Sequence, residues 1–388
     1  MGQQRRVLHL VYLRFWSAIA WHAMGLAEAM MKQGHRCWIG GAEGSPIMLK
    51  AEARAEFTGC LLNLSWLRPW NYLAVAAKLR RWLADEAIDL VYVHTGSGHL
   101  ETHLSRIGLP VGIVRVRADA RAPRLDLGKR WLYRYGTDLM AVSGSYMIDG
   151  LLAGGLPEER IVHLAPGIDS AGISENKDFR KESARAAICT RYGLSGDRPL
   201  IGIIGRLSPV KGHRVLIEAA GSLAKAGLDF DLLVIGAEKE VAPTQLMAWA
   251  TEAGVADRLL LTGHVADPLV HAAALDIGVI SSLGSEAVSR SALEFMAVGT
   301  PVISSQVGIL PEVIGDDNRL VPPGDAAALA KALLVLLRDK AANSQAAESG
   351  FRRIERIYSY EALGARAGQI TEAAIEHRAQ SGRGRAKR

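Results

Sequence analysis

Two glutamates eight positions apart, Glu286 and Glu294, stand in the stretch GSEAVSRSALEFMAVG at residues 284–299. Glu294 falls within an apolar run typical of a buried helix, where a carboxylate is unusual. One explanation is structural, because Ser291-x-x-Glu294 fits a capping box that satisfies backbone N–H groups at a helix start. The other is chemical. A helix start attracts anions, and carboxylates beside it could accept hydrogen bonds from hydroxyls on either side of a bound phosphate.

A second group of reactive side chains lies upstream, in IIGRLSPVKGH at residues 203–213. Gly205 allows a tight turn at the end of a strand, and Arg206 and Lys211 can then converge on an anionic group. The alternative is a pair of solvated basic residues on a loop. The P-loop pattern and G-x-G-x-x-G are both absent from the sequence, so neither a P-loop nucleotidase nor a dinucleotide-dependent oxidoreductase is supported.

The elements that must position these residues are strands that alternate with helical stretches along the whole chain, a pattern that predicts parallel sheets. In the first half, strands are expected at VLHLVYL (7–13), RCWIGG (36–41), LVYVH (90–94), VGIVRV (111–116), LMAVSG (139–144) and IVHLAPG (161–167). In the second half they are expected at PLIGIIGR (199–206), DLLVIG (231–236), RLLLTG (258–263), IGVISS (277–282) and PVISS (301–305). Both groups of candidate residues therefore follow strands, at the sheet edge where such folds bind ligands.

The length of 388 residues and this alternation predict an α/β protein with two Rossmann-like, doubly wound parallel-sheet domains facing across a cleft. The first domain is expected at 1–170 and the second at 196–357. The polar stretch at 171–195 interrupts the alternation and is interpreted as a linker. A last helix is expected at 358–376, followed by a disordered basic tail at 377–388.

The charge is distributed unevenly along the chain. Residues 1–170 carry 20 Lys/Arg and 15 Asp/Glu, residues 171–376 carry 21 and 25, and the last twelve residues carry five basic groups and no acidic one. A basic first domain fits an anionic ligand, but without a recognition motif this modest excess does not indicate nucleic-acid binding. Three unclustered cysteines favour a reducing compartment. No apolar run is long enough to span a membrane, so a cytoplasmic location is expected.

Three segments resemble, in order and spacing, the C-terminal domain of family 4 retaining glycosyltransferases, which have the GT-B fold: IGRLSPVKG, EAVSRSALEFMAVGTPVISS and GILPEVI. The resemblance is specific between residues 200 and 325, and it extends over the first half through GLAEAMMKQGH, VYVH, MAVSGSYM and APGID. It implies that a nucleotide diphosphate sugar binds the second domain and an acceptor binds the first. It also implies that the last helix packs back on the first domain.

The resemblance gives roles to matching positions in this chain. Arg206 and Lys211 resemble the pair that binds the diphosphate and stabilises the departing nucleotide. Glu294 resembles the carboxylate that holds the ribose hydroxyls, and Glu286 resembles the one that contacts the donor sugar. The other donor-binding positions are the strand-end turn, the residues lining the sugar and the base-binding loops: Gly205, Ala287, Val288, Ser289, Gly236, His264 and Val265.

The chain departs from the family pattern in two places. Between the two glutamates many relatives carry G-F-G, whereas this chain has A-V-S, which places additional side chains near the sugar. Many relatives also have a histidine near the reacting carbon after a P-V-x4 strand, and the matching stretch here, PVGIVRVRADARAPR, has none. The acceptor-side candidates are therefore Arg117, Asp119, Arg121 and His94, and for His94 a purely structural imidazole is the alternative.

Several other motifs have structural explanations. The D-x-D sequence at 229–231 is similar to the metal motif of the other glycosyltransferase fold, but it precedes its strand, and the acidic pair at 316–317 has no histidine partner. No metal and no cofactor is therefore expected, with basic side chains and the helix dipole taking the place of a metal. The tryptophan-rich basic stretch at 65–85 fits either peripheral contact of the N-terminal domain with an anionic membrane or an ordinary helix.

Together these features predict a retaining, metal-independent glycosyltransferase that moves a sugar from a nucleotide diphosphate sugar to a cell-envelope acceptor. The expected acceptor is a glycan or lipid-linked glycan of lipopolysaccharide or exopolysaccharide type. Because no nucleophile stands out, the resemblance implies front-face attack, with the leaving phosphate accepting the acceptor's proton. Two alternatives stay open: a nucleotide-sugar epimerase or hydrolase on the same fold, and a catalytically silent binder of sugar nucleotides.

Overall fold

The computed structural model describes residues 3–54, 58–61, 70–119, 126–315 and 319–386. The chain divides into two compact units. Unit 1 consists of Met1–Gly167 together with Tyr360–Arg388, and unit 2 consists of Ile168–Ser359.

Unit 1 contains, within its described residues, a seven-stranded parallel sheet and the helices that connect its strands. Its strands are β1 (Arg6–Leu10), β2 (Arg36–Gly41), β3 (Thr58–Leu61), β4 (Leu90–Val93), β5 (Gly112–Arg117), β6 (Leu139–Val142) and β7 (Ile161–His163). The helices of its first segment are α1 (Ala18–Lys32), α2 (Pro46–Glu52), α3 (Trp70–Asp85), α4 (His99–Ser105), α5 (Leu127–Tyr135) and α6 (Ile148–Ala153). The strand order is β3-β2-β1-β4-β5-β6-β7, which reverses direction between β1 and β4.

Unit 2 repeats this design with a six-stranded parallel sheet among its described residues. Its strands are β8 (Leu200–Ile204), β9 (Asp231–Ile235), β10 (Leu259–Gly263), β11 (Ile277–Ile280), β12 (Val302–Ser305) and β13 (Leu320–Val321). Its helices are α7 (Ser170–Glu175), α8 (Lys181–Tyr192), α9 (His213–Lys225), α10 (Pro243–Ala253), α11 (Pro268–Ala274), α12 (Arg290–Ala297), α13 (Leu310–Ile314), α14 (Ala326–Arg338) and α15 (Lys340–Arg353). The order β10-β9-β8-β11-β12-β13 reverses between β8 and β11. The predicted fold class, two doubly wound parallel-sheet units, is confirmed.

Both faces of the unit 1 sheet are buried, because alternate side chains of a strand point to opposite sides. On β5, Val114 and Val116 enter the apolar core that includes α1, whereas Ile113 enters the core on the opposite face with Leu79 of α3. The alternation places Arg115 on the same face as Ile113. Continuous apolar strands of this kind are typical of parallel sheets covered by helices on both sides.

The predicted linker is wrong, because the polar stretch at 171–195 folds as part of unit 2. Its helix α8 buries Ala184 and Ile188, which lie one turn apart, and leaves most other positions in contact with solvent. One narrow apolar stripe is enough to attach a helix to a unit, even when its composition reads as polar.

The prediction of a disordered tail is also wrong for its described part, since the last helix, α16 (Tyr360–Ala386), continues through it. Arg378 donates to the carbonyl oxygen of Leu109 at 3.0 Å, and His377 Nδ1 lies 3.4 Å from Asp138 Oδ1. Tyr360, Leu363, Ala367, Ile370 and Ala374 enter the same core as α1. Their spacing of three or four residues forms one helical face, which holds α16 in unit 1.

Candidate functional site

The donor-side candidates lie at one edge of the unit 2 sheet. Arg206, Gly236, His264 and Glu286 follow β8, β9, β10 and β11, respectively, and these four strands are neighbours in the sheet. Because the strands are parallel, their carboxyl ends share one edge. This edge includes the point between β8 and β11 where the strand order reverses, which is where open α/β sheets bind ligands.

Lys211 and Glu286 meet at this reversal point. Lys211 Nζ donates to Glu286 Oε1 at 2.5 Å, and the Glu286 side chain is 4% exposed. The Ser282 hydroxyl donates to the same carboxylate oxygen at 2.6 Å. The loop after β8 and the loop after β11 thus bring a cation and a carboxylate together that are separated by 75 residues in the chain.

The two loops hold each other through close backbone contacts. Ser281 Oγ donates to the carbonyl oxygen of Gly212 at 2.9 Å, and Leu283 N donates to that of Val210 at 2.8 Å. Gly212 has φ +68°, and a Cβ atom there would lie 1.9 Å from the Ser281 carbonyl oxygen. Only glycine combines this backbone conformation with this proximity, so the residue after Lys211 fixes the position of the lysine.

Helix α12 begins with strained backbone. Its N-terminal cap, Ser289, has φ 50° and ψ 58°, and Ser285 in the same loop has φ 64°. Ser289 is 3% exposed, and its hydroxyl has no hydrogen-bond partner among the described residues. Left-handed conformations at non-glycine residues are unfavourable and cluster at ligand sites. Buried hydroxyls without a partner are also uncommon, and a ligand atom can complete them.

The capping-box interpretation of Glu294 is wrong. The helix starts at Arg290, so Ser291 lies inside the first turn, and the Glu294 carboxylate is hydrogen-bonded to a side chain instead. Arg290 Nε donates to Glu294 Oε1 at 2.7 Å, four residues apart on the helix. The Glu294 side chain is 4% exposed. Burial raises the pKa of this carboxyl group, and the Arg290 charge opposes that rise.

The remaining donor-side candidates surround this centre. Arg206 is exposed and, among the described residues, forms no ion pair. A Cβ atom at Gly236 would lie 1.9 Å from the carbonyl oxygen of Gly205, so the turns after β8 and β9 touch. Ala287 and Val288 are buried. His264 is exposed and Val265 is half-buried in the loop after β10.

The acidic residues at 229–231 have structural partners. Arg198 Nε lies 3.0 Å from Asp229 Oδ2, and Arg198 Nη1 lies 3.6 Å from Asp231 Oδ1. No cluster of three or more His, Cys, Asp or Glu side chains that could hold a metal ion occurs in the part of the chain that the structure describes. The acidic pair at 316–317 lies outside that part.

His94, an acceptor-side candidate, lies inside unit 1. It is 2% exposed, and its Nε2 is 3.2 Å from Nδ1 of His9, which in turn stacks on Tyr92. His22 meets the His94 ring edge-on. Burial lowers the pKa of His94 well below its ordinary value. It also lowers the pKa of His9 to about 3 and the pKa of His22 to about 4. Three neutral buried imidazoles fit the structural alternative for His94.

The other acceptor-side candidates lie at the end of β5. Arg117 is 6% exposed, and its Nη2 donates to Asp119 Oδ1 at 2.7 Å. Its Nη1 lies 3.4 Å from the Tyr133 hydroxyl of α5. Arg121 lies outside the described residues.

The tryptophan-rich stretch at 65–85 is helical from Trp70 onward, and residues 62–69 lie outside the described part. Trp82 packs edge-on against the buried ring of Trp38, with 6.2 Å between ring centroids. This contact fits the interpretation as an ordinary helix. None of the helices that the structure describes has both the length and the apolarity to cross a membrane.

Sequence reasoning missed three residues at these sites: two that hydrogen-bond to candidate glutamates, and a third that lies beside Arg117 on β5. Arg290 could have been found, because it precedes Glu294 by four residues, the spacing of helical ion pairs. Arg115 precedes Arg117 by two, the spacing of one strand face. Ser282 gave no signal, since only the fold of its loop brings its hydroxyl to Glu286.

Two family patterns match the chain, one in each half. Residues 198–339 match a family described as "Glycosyl transferases group 1", and residues 19–171 match one described as "Glycosyltransferase Family 4". The first match contains the Lys211–Glu286 pair and Glu294. The second contains the buried histidines and the end of β5.

Individual proteins of known identity are also similar to this chain. A 2-deoxystreptamine glucosyltransferase of Streptomyces kanamyceticus is 30% identical over 315 residues, covering 74% of this chain and 77% of the relative. A GDP-mannose-dependent α-(1-6)-phosphatidylinositol monomannoside mannosyltransferase of Mycolicibacterium smegmatis is 28% identical over 282 residues, covering 68% and 71%. The crystal structure of a glycosyltransferase from Rickettsia africae superposes with a TM-score of 0.85 at 16% identity, covering 96% of this chain and 99% of the other. That last similarity shows a shared GT-B fold.

Proposed function

This chain belongs to the family 4, group 1 type glycosyltransferases, and on that basis we propose that it is a retaining, metal-independent enzyme using a nucleotide diphosphate sugar. The donor binds unit 2 at the edge formed by the loops after β8 to β11. The acceptor binds unit 1. That the chain is a glycosyltransferase follows from its family, whereas the donor, the stereochemistry and the acceptor belong to the proposal.

The observation that carries the proposal is the contact of Lys211 with Glu286 beside the start of α12. A cation, a buried carboxylate and a helix N-terminus come together where the strand order reverses. The cation and the helix start suit a diphosphate, and the carboxylate suits sugar hydroxyls. When the donor binds, Lys211 exchanges part of its contact with Glu286 for the diphosphate, and Glu286 then accepts hydrogen bonds from the sugar.

In the reaction, the bond between the anomeric carbon and the diphosphate oxygen breaks while the acceptor oxygen bonds to that carbon. Negative charge develops on the leaving diphosphate. Lys211, Arg206 and the first turn of α12 stabilise this charge as it forms, and the loss of one such contact typically costs about 3 kcal/mol in the barrier. The acceptor proton passes to a leaving phosphate oxygen, so attack occurs from the face that the diphosphate leaves and the configuration is retained.

Glu294 holds the ribose hydroxyls in this scheme. Its carboxylate is buried and fixed by Arg290, so it offers acceptors in one orientation. The Ser289 hydroxyl, which has no partner among the described residues, is available to the phosphate or the sugar. Preorganised groups of this kind need no rearrangement when charge develops, which is why they contribute to rate.

The acceptor is a cell-envelope glycan, free or linked to a lipid, of lipopolysaccharide or exopolysaccharide type. The basic charge of the first 170 residues supports an acceptor that carries negative charge. The two relatives named above act on an aminocyclitol and on a phosphatidylinositol mannoside, according to their names, so acceptors in this family vary widely. Peripheral contact of unit 1 with a membrane stays a prediction.

The test begins with donor binding. Purified protein is screened with nucleotide sugars for a rise in melting temperature, since a ligand that binds the native state stabilises it. Lys211→Ala and Glu294→Ala are then expected to weaken binding of the selected donor by about tenfold or more. Lys225→Ala and Glu252→Ala, which change exposed residues of the same unit, serve as matched controls and should leave affinity unchanged.

The second step separates the enzyme classes. The donor is first incubated with the enzyme alone and then with candidate glycans. If the enzyme hydrolyses or epimerises the donor at the same rate in both cases, it is a hydrolase or epimerase and not a transferase. Donor binding with no turnover under any condition would identify a silent binder. Transfer with an α-linked product from an α-linked donor supports the proposal, and an inverted product contradicts its stereochemistry.

A further inference from the structure

The end of β5 holds a buried cation with an incomplete set of partners. Arg115 is 3% exposed, and its Nη1 donates to the carbonyl oxygens of Val93, at 2.9 Å, and Val116. Its Nε has no hydrogen-bond partner, and no carboxylate forms an ion pair with it, among the described residues. Carbonyl oxygens satisfy hydrogen bonds of a guanidinium but do not balance its charge.

A second guanidinium lies on the same strand face two residues later. Arg117 pairs with Asp119 at 2.7 Å, and its Nη1 lies 3.4 Å from the Tyr133 hydroxyl. Tyr133 and the single negative charge of Asp119 also stabilise the Arg115 charge, so the two guanidiniums share one carboxylate. His99, which stacks on Tyr133, is buried, and the pKa of its ring is lowered well below its ordinary value, so it is neutral. The described cluster therefore has two positive charges and one negative charge.

The adjoining sequence does not supply the missing negative charge. Residues 120–125 read Ala-Arg-Ala-Pro-Arg-Leu and contain no acidic residue. Burial of a charge without a counter-charge is unfavourable, so such groups are normally paired or bind an ion of opposite sign. Burial accordingly lowers the pKa of Arg115.

The cluster also has the position of a ligand site. Arg117 is the last residue of β5, and the Arg115 guanidinium reaches the carboxyl end of β4 through the Val93 carbonyl. These are the strand ends at which parallel α/β sheets bind ligands. The cluster meets solvent at Asp119, whose side chain is 35% exposed.

We propose that Arg115 and Arg117 form an oxyanion site in unit 1 that binds a phosphate or carboxylate group of the acceptor. The inference rests on the proposed function and narrows it, because it selects acceptors that carry a negative charge near the accepting hydroxyl. A guanidinium recognises a phosphate or carboxylate through N–H groups in a planar fork, a geometry that a lysine does not offer, and the Nε of Arg115 has no hydrogen-bond partner among the described residues. Neutral glycans are then poor acceptors.

The experiment compares three sugars that differ only in charge: glucose, glucose 6-phosphate and glucuronate. Binding is measured by calorimetry on the full chain, with the donor site filled by the nucleoside diphosphate that stabilises the protein most. Glucose 6-phosphate or glucuronate is expected to bind at least about tenfold more tightly than glucose, as expected for charge-assisted hydrogen bonds. The preferred anion shows whether the group is a phosphate or a carboxylate. Equal binding of all three sugars would overturn the proposal.

Variants test whether the two arginines are responsible. Arg115→Gln and Arg117→Gln should each remove the preference for the charged sugar, and Arg117→Gln alone is decisive if Arg115→Gln does not fold. Arg134→Gln removes the same charge from an exposed position of α5 next to Tyr133, and it should retain the preference. If Arg134→Gln reduces the preference for the charged sugar as much as Arg117→Gln does, the preference arises from long-range electrostatic attraction, and the proposed site is refuted.

Failure of this inference can be told apart from failure of the proposed function. If no nucleoside diphosphate or nucleotide sugar binds, the proposed function is wrong. If nucleotides bind and donor affinity is unchanged in Arg117→Gln, while charged and neutral sugars bind equally to the wild type, only the oxyanion site is wrong. Transfer to a phosphorylated acceptor and to its dephosphorylated form, compared in kcat/KM, gives a second readout of the same question.

Discussion

Replacing Arg290 by alanine is expected to weaken donor binding through Glu294, in a way that depends on pH. In the structure, Arg290 Nε lies 2.7 Å from Glu294 Oε1, and the glutamate side chain is 4% exposed whereas the arginine is 37% exposed. A hydrogen bond to a charged group contributes about 1.5–3 kcal/mol, and the exposure of Arg290 reduces this to about 1–2 kcal/mol. The expected loss of affinity near neutral pH is therefore roughly fivefold to thirtyfold.

The pH dependence follows from the sign of the shift. Burial already raises the pKa of Glu294, and removal of Arg290 raises it further. A raised pKa means that the folded protein holds the proton to higher pH, so the carboxylate that accepts ribose hydroxyls is depleted on the acidic side. Between roughly pH 8 and roughly pH 5, the affinity deficit of Arg290→Ala should increase as the pH falls.

Calorimetry with the selected nucleotide sugar across this pH range gives the measurement. Arg214→Ala is the matched control, because Arg214 pairs with Glu218 at 2.8 Å with the same spacing on an exposed part of unit 2. Exposed pairs of this kind contribute about 0.3–0.5 kcal/mol, so the control should bind donor like the wild type. The double variant Arg290→Ala/Glu294→Gln should lose little more donor affinity than Glu294→Gln alone, because both changes act on the same carboxylate. Unchanged affinity in Arg290→Ala, or the same deficit at every pH, would refute this reasoning.

Three further predictions concern the fold around the site. Gly212→Ala should destabilise unit 2 by more than about 3 kcal/mol in denaturant unfolding, because the new Cβ adds a clash with a carbonyl oxygen to left-handed strain. Gly227 has φ +77° and nothing within 4 Å of the position that an alanine methyl would take, so Gly227→Ala should lower the free energy of unfolding by only about 1–2 kcal/mol. If the two alanine variants lose the same stability, the clash at Gly212 makes no contribution. Ser282→Ala should lower kcat/KM about tenfold while nucleotide affinity is unchanged, because its hydroxyl holds Glu286 rather than the nucleotide; a parallel loss of nucleotide binding would contradict that role. Burial lowers the pKa of His22 to about 4, so as the pH falls below about 6.5 this residue is protonated in the unfolded chain before it is protonated in the folded one. The contribution of His22 to the free energy of unfolding should therefore fall by up to ~1.4 kcal/mol per pH unit. His22→Phe should remove this contribution and make the fall in stability less steep, and an unchanged slope would show that His22 does not contribute to it.

Much of the fold could be predicted from the sequence because its signals are local. Eleven expected strands correspond to strands of the structure, since runs of apolar and β-branched residues in parallel sheets are buried on both faces. Two strands, at Thr58–Leu61 and Leu320–Val321, were missed because they are short edge strands with little pattern. The linker and tail predictions failed for a related reason. Polar composition does not reveal a narrow buried stripe, or the few contacts that extend a helix.

The site was predictable as far as residue types and spacing reach. The sequence placed Arg206, Lys211, Glu286 and Glu294 after strands of one domain, because alternating strands and helices predict a parallel sheet whose carboxyl ends share one edge. Their side-chain partners follow from the folded structure. The contacts of Glu286 with Lys211 and Ser282 depend on loops that meet across the sheet edge. No local pattern encodes such meetings, because the distance between two loops is fixed by the packing of the strands and helices that carry them.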